Sequence, residues 1–301
     1  MIELQTVNIG NMSIRIPVWE QQSKTPGKTI VVTAGMDGDE YAGIEAAYEL
    51  IRFYSKAKFA GRLVIIPIVN IPGFDEAVSF NPLDKKYPKY IYPGNENGSS
   101  TERLIHFLSE EYISKADVWI DLHGGALIES LNPFVWTHQT KNEEVNVLVE
   151  KILTNFKEGI KIYERNPDEK AEKLARQHTA YILLESGHLG ERNKIDIGRH
   201  VNSVKTIIRI VREGKKSTKK GNVYTKVNYY IAAQDGLWYP SVFKNKEINK
   251  GALLGETFSF AGKRISTFKA SQAGVLLWWR KSLNAKKGEV MVAIASEETS
   301  I

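Results

Sequence analysis

Apolar and polar positions along this chain predict strands and helices in turn. Two alternating segments, residues 2–9 and 12–19, predict a hairpin that turns near Gly10-Asn11. Residues 28–34 (KTIVVTA) are a short β-branched apolar run, the pattern of a buried strand, which ends at Gly35. From residue 39 to 54 the period becomes helical, with Ile44, Ala47, Leu50, Ile51 and Tyr54 on one face. A second buried strand is expected over 61–69 (GRLVIIPIV). Residues 70–97, rich in Pro, Tyr, Asp and Lys, read as one long loop, and a loop of that length inside a compact domain is usually functional. Ser99 or Ser100 is suited to cap a helix over 101–115. Strands are then expected at 117–122, 133–138 and 180–185, and helices at 143–153 and 201–212. Strands alternating with helices predict an α/β sheet covered on both faces.

After Lys220 the texture changes. Short alternating segments at 223–232, 253–260, 264–270, 275–280 and 290–295 are separated by Gly, Asn and Pro, and no helical period appears. This predicts a small all-β module. The basic run GKKSTKKG, Gly214 to Gly221, is the expected linker, dividing the chain into residues 1–218 and 219–301.

Composition narrows the class. Apolar residues make up 42% and charged residues 25% of the 301, as in an ordinary globular protein. No run approaches the roughly 18–20 apolar residues that span a bilayer, and the first residues lack a secretory apolar region. A cytoplasmic location without membrane attachment is therefore expected. The chain has no cysteine, so a metal site must use nitrogen and oxygen ligands. The net charge of +6 is diffuse, and without a motif that reads bases nucleic-acid binding is not expected.

Three short patterns follow predicted strands, where ligands of open α/β sheets collect. The first is Gly35-Met36-Asp37-Gly38-Asp39-Glu40, in which Asp37 and Glu40 flank a tight strand-to-helix turn. Their oxygens suit a divalent cation, although capping of the next helix by Asp37 or Asp39 is the structural alternative. The second is Asp121-Leu122-His123-Gly124-Gly125, with His123 at the sheet edge and Asp121 a candidate to support it. The third is Glu185-Ser186-Gly187-His188-Leu189-Gly190. Glu185 closes the apolar run YILL, where partial burial would raise its pKa toward that of a general base; a salt bridge is the alternative there.

The order DxxE, DLHG, ExG resembles the succinylglutamate desuccinylase/aspartoacylase family of the zinc carboxypeptidase-like superfamily. Further resemblances lie in Asn70-Ile71-Pro72-Gly73-Phe74, in NPLDKKYPKYIYPG (Asn81 to Gly94), and in IAAQDGLWYP, KGALLGE and ASQAGVL of the carboxyl-terminal module. The resemblance implies an α/β fold of the mixed-sheet, phosphorylase/hydrolase-like kind carrying the catalytic site, followed by a small all-β domain. It implies one Zn²⁺ held at the positions of Asp37, Glu40 and His123, with Glu185 as general base. The implied activity is metal-dependent hydrolysis of an amide bond in a small N-acyl amino acid or related compound.

The chain departs from the family pattern in two places, at Asp37 and in the long loop. Asp37 stands where the family has His, which leans toward harder ions such as Mn²⁺ or Fe²⁺ and makes the ligand set more negative. Lys89-Tyr90 stands where the family has Asn-Arg, and Ser79 where another Arg is expected. Lys89 is a candidate to bind a substrate anion and Tyr90 to donate to a developing oxyanion, but lysine lacks the arginine fork. A carboxypeptidase acting on short peptides and a non-catalytic binding protein on the same fold are the alternatives. The partner expected is a small molecule, and the β module is a candidate for closing the site within a homo-oligomer.

Overall fold

The computed structural model describes residues 1–156, 159–213, 223–243 and 247–297. The first module contains β1 (Ile2–Asn8), β2 (Ser13–Gln22), β3 (Thr29–Ala34), β4 (Arg62–Ile66), β5 (Val118–His123), β6 (Glu129–Leu131), β7 (Phe134–His138), β8 (Ile160–Glu164) and β9 (Ala180–Glu185). Its helices are α1 (Tyr41–Tyr54), α2 (Ile71–Asp75), α3 (Ser100–Glu111), α4 (Glu143–Asn155), α5 (Glu169–Arg176) and α6 (Lys194–Glu213). Eight strands form one mixed sheet in the order β1-β2-β4-β3-β5-β9-β7-β8. The central strands β4, β3, β5 and β9 are parallel, while β1, β2 and β7 pair antiparallel to their inner neighbours. The expected hairpin forms, with Asn8 opposite Ser13.

Period two along β3 builds both cores. Ile30, Val32 and Ala34 pack with Leu50 and Ile51 of α1, Val149 and Ile152 of α4, and Val204 and Ile207 of α6. Val31 points the other way, to Leu104 and Leu108 of α3, the hairpin residues Ile14 and Ile16, and Leu174 of α5. The predicted α1 face is the buried one, and Leu50 is fully buried. Burying such a side chain contributes roughly 1.5–3 kcal/mol. Helices on both faces explain why β3, β4 and β5 read as continuous apolar runs rather than alternating ones.

The long loop is more ordered than its sequence suggests. Asn70 caps the short α2, accepting from Gly73 N at 3.1 Å, and Pro88–Tyr90 forms a single 3-10 turn. Ser99, not Ser100, is the cap position of α3, and its amide donates to Glu102 Oε2 at 2.8 Å. In this module β6, β8 and α5 also lie where no strand or helix was expected. Helix α6 begins at Lys194, well before the expected residue 201.

The carboxyl-terminal module is all-β: β10 (Lys226–Ile231), β11 (Gly236–Pro240), β12 (Glu247–Ile248), β13 (Leu253–Phe258), β14 (Arg264–Lys269), β15 (Gly274–Arg280), β16 (Asn284–Ala285) and β17 (Val290–Ser296). One sheet runs β10-β17-β15-β12, and a second runs β14-β13-β11-β16. Trp238, Leu254, Leu276, Trp279 and Met291 are among the residues that fill the core of this module. The first sheet does not stop at the module's edge. Strand β6 of the first module pairs with β15, with Glu129 opposite Arg280 and Leu131 opposite Trp278. The expected boundary at 218/219 lies outside the described residues.

Candidate active site

The parallel register sets the site. Ala34 pairs with Leu122, and His123 with Glu185, so the segments after β3, β5 and β9 leave the sheet at one edge. Asp121 and His123 are two residues apart on β5 and therefore share a face. The turn after β3 depends on Gly38, whose missing Cβ would lie 2.2 Å from Gly73 C and Phe74 N.

Neither Asp37 nor Asp39, the capping candidates, caps α1. Glu40 occupies the cap position but makes no side-chain bond to the helix. Instead its Oε2 accepts from Gly124 N at 2.9 Å and lies 2.9 Å from His123 Nδ1. The Asp39 carboxylate accepts from Ser79 Oγ at 2.7 Å and Leu127 N at 3.2 Å, so it ties two loops to the turn. Ser79, where the family pattern has an arginine, thus has a structural partner.

His123 is buried and held from both sides. Its Nε2 is 3.1 Å from Asp121 Oδ2, while Nδ1 faces Glu40. Asp121 Oδ1 accepts from Thr33 Oγ1 at 2.6 Å, and that hydroxyl accepts from Trp119 Nε1 at 2.7 Å. A carboxylate on the far nitrogen fixes the ring and leaves the near nitrogen for a ligand role.

Asp37, Glu40 and His123 are all buried, and each offers one donor atom within 4.8 Å of the others. Asp37 Oδ2 pairs with Lys89 Nζ, whereas Asp37 Oδ1 is buried with no hydrogen-bond partner. An orphaned buried oxygen beside a second carboxylate and an oriented imidazole fits a divalent cation. Electrostatics agree. Burial and then the neighbouring Asp37 charge push Glu40 well above the usual carboxylate range. Burial works against a charged His123, but Asp121 and Glu40 outweigh it and hold the imidazole well above its ordinary value. A site that gathers protons in this way is one from which a dication would release them.

Glu185 lies beside His123 in the register, and its Oε2 is buried without a partner. Burial, only partly offset by His123 and Lys89, pushes it up to about 8. His188 sits farther along this segment, with Nε2 3.3 Å from Glu191 Oε2.

Lys89 reaches Asp37 from the 3-10 turn, and its ammonium lies 5.4 Å from the ring of Tyr90 and 5.8 Å from that of Tyr87. Tyr90 itself is 73% exposed. Two residues near the site escaped the sequence reading. Lys170 of α5 lies 4.0 Å from the Tyr181 ring centroid and donates to the Lys89 carbonyl at 3.2 Å. Glu129 of β6 lies within electrostatic reach of Lys89 and Asp37, and burial raises its pKa. Neither stood out, because α5 and β6 are short and lack a clear period. Asp121, a candidate from the sequence to support His123, does meet its ring in the structure.

A parallel-centred α/β sheet thus gathers carboxylates and an imidazole at its carboxyl edge. Residues 26–211, more than half of the chain, match the model of the succinylglutamate desuccinylase/aspartoacylase catalytic domain, and the chain belongs to that family. The N-alpha-acetyl-L-2,4-diaminobutyric acid deacetylase of Halomonas elongata is 30% identical over 118 residues, 39% of this chain and 34% of the relative. The match thus spans about a third of that relative's length. Among solved structures, a succinylglutamate desuccinylase from Silicibacter sp. TM1040 superposes with a TM-score of 0.83 at 19% identity, covering 99% of this chain and 95% of the other. The product-bound ectoine utilization protein EutE (DoeB) from Ruegeria pomeroyi gives 0.80 at 18% identity, covering 98% and 95%. At these identities the two structures establish the fold. Among the described residues no helix is long and apolar enough to cross a membrane.

Proposed function

We propose that this protein is a metal-dependent deacylase that hydrolyses the amide bond of a small N-acyl amino acid or a related compound. The observation that carries the reading is the convergence of buried donor atoms from Asp37, Glu40 and His123 within 4.8 Å, with Glu185 next to His123 in the register. Membership of a family of desuccinylases and aspartoacylases supports amide hydrolysis, and the acetyl-diaminobutyrate relative supports a small acyl amino acid as substrate.

Asp37, Glu40 and His123 would hold the ion, with zinc favoured by the family and manganese or iron by the two carboxylates. When bound, a divalent cation polarises the amide carbonyl and acidifies a water molecule. The residues do the rest. Asp121 keeps the His123 ring oriented, and Gly124 N holds Glu40. Glu185 accepts a proton from the attacking water and returns it to the departing amine nitrogen. Its partly buried setting suits both halves of that exchange, because a carboxyl near neutrality can take up and release a proton. The amino-terminal division, residues 1–218, would house the reaction and residues 219–301 would buttress it.

The test is metal content by elemental mass spectrometry, with hydrolysis of N-acetyl and N-succinyl amino acids assayed on the same samples. Near-stoichiometric metal that falls in Asp37→Ala, together with hydrolysis that disappears in Glu185→Gln, is the expected result. Metal-free protein that takes up no zinc, manganese or iron would overturn the mechanism.

A further inference from the structure

Asp37 and Lys89 are 52 positions apart in the chain, yet their side chains touch. They are also two of the positions at which the sequence departs from its family pattern. We propose that Asp37 and Lys89 act together as one composite metal ligand, in which Lys89 holds one carboxylate oxygen and offsets its charge. The inference rests on the metal site proposed above.

Geometry supports the division of labour. Asp37 Oδ2 is engaged by Lys89 Nζ, and Oδ1 is left buried and without a partner, beside Glu40 and His123. A carboxylate fixed at one oxygen presents the other in a defined direction, as outer partners do for metal ligands generally. The Asp37 side chain is 1% exposed and that of Lys89 25%, so water screens the pair weakly. The rings of Tyr87 and Tyr90 flank the ammonium.

Charge supports it independently. With neutral His123, Asp37 and Glu40 would give the ligand set two negative charges, and Lys89 reduces the local sum to one. One negative charge is also what two imidazoles and one carboxylate carry. The two substitutions therefore cancel: an ion pair with no net charge stands where a neutral imidazole is expected. Lys89 is then a positioning residue, committed to Asp37, rather than a free clamp for a substrate anion.

A double-variant cycle tests this. Wild type, Asp37→His, Lys89→Met and the double variant would be stripped with chelator, checked for folding by thermal denaturation, and titrated with Zn²⁺. Asp37→His alone should weaken zinc binding by about tenfold or more, because it strands an unpaired ammonium beside the dication. The double variant should recover to within about threefold of wild type, since the stranded charge is gone. A double variant that binds no more tightly than Asp37→His would overturn the composite ligand. Wild-type protein that binds no divalent ion would instead overturn the metal site itself, so the two failures differ. If Asp37→His does not fold, Lys89→Arg and Lys89→Met carry the test. Arginine should hold the affinity within about threefold, and methionine should shift it by about tenfold or more; equal affinities in all three proteins would overturn the proposal.

Discussion

Glu185 is the proposed general base, and its environment makes a prediction that needs no substrate. Burial lifts its pKa from an ordinary 4.5 to about 8. Between those values the folded protein holds a proton that the unfolded chain has already released. Its contribution to stability is therefore complete below the unfolded value and is lost as pH rises through the folded one. In chelator-treated protein, Glu185→Gln should flatten the fall in melting temperature between about pH 5 and pH 9. A slope equal to that of wild type would mean that Glu185 does not bind this proton. If Glu185 is the general base, the same variant should lose roughly 10²- to 10⁴-fold in hydrolysis rate once metal is restored. Asp121 gives a second prediction at this scale. Removing its carboxylate leaves the Thr33 hydroxyl proton and His123 Nε2 without a buried acceptor, so Asp121→Ala should cost about 3–5 kcal/mol in denaturant unfolding. A loss below about 1 kcal/mol, the size of a surface effect, would contradict the buried network.

At the scale of elements, the turn after β3 carries the two carboxylates and tolerates little change. A Cβ at position 38 would lie 2.2 Å from the backbone of Gly73 and Phe74. Neither neighbour can swing aside as a side chain would. Gly38→Ala should displace the turn, lowering metal retention while helix content by circular dichroism stays near that of wild type. Full metal occupancy in Gly38→Ala would show that the turn has more freedom than the backbone contact allows. Legibility also varied by element. The strands β3, β4, β5 and β9 were readable because burial on both faces writes a continuous apolar run. Helix α5 was not, because its buried side is Ala171, Leu174 and Ala175 amid charged residues, which leaves little apolar period. The edge strand β8 is short, with only Lys161 and Ile162 buried, so it lacks the signal of a central strand.

The whole molecule is tied across its two modules. Phe134 and Ile162 of the first share an apolar cluster with Val227, Leu277, Ala293 and Ala295 of the second. Asn132 N donates to Leu277 O at 2.8 Å and Lys281 N to Ile128 O at 2.7 Å, beside the β6–β15 ladder. Since β6 lies only a few residues after His123, the β module braces the loop that carries Gly124 and Gly125. Thermal unfolding should therefore be one cooperative transition, with tryptophan fluorescence and far-ultraviolet circular dichroism giving the same midpoint. Two separated transitions would show that the modules fold independently.

The sequence alone determined the α/β alternation, the all-β tail, the hairpin and the three patterns at strand ends. Each follows from local period or from a few adjacent residues, so each is written in one stretch of chain. It also exposed the two departures, Asp37 and Lys89, as separate oddities. Only tertiary structure decided that these side chains meet, that Glu40 turns to His123 instead of capping α1, and that Glu129 and Lys170 approach the site. Those facts depend on the register of parallel strands and on the path of loops between them. Contacts between residues far apart in the chain leave no mark on the local pattern of either partner.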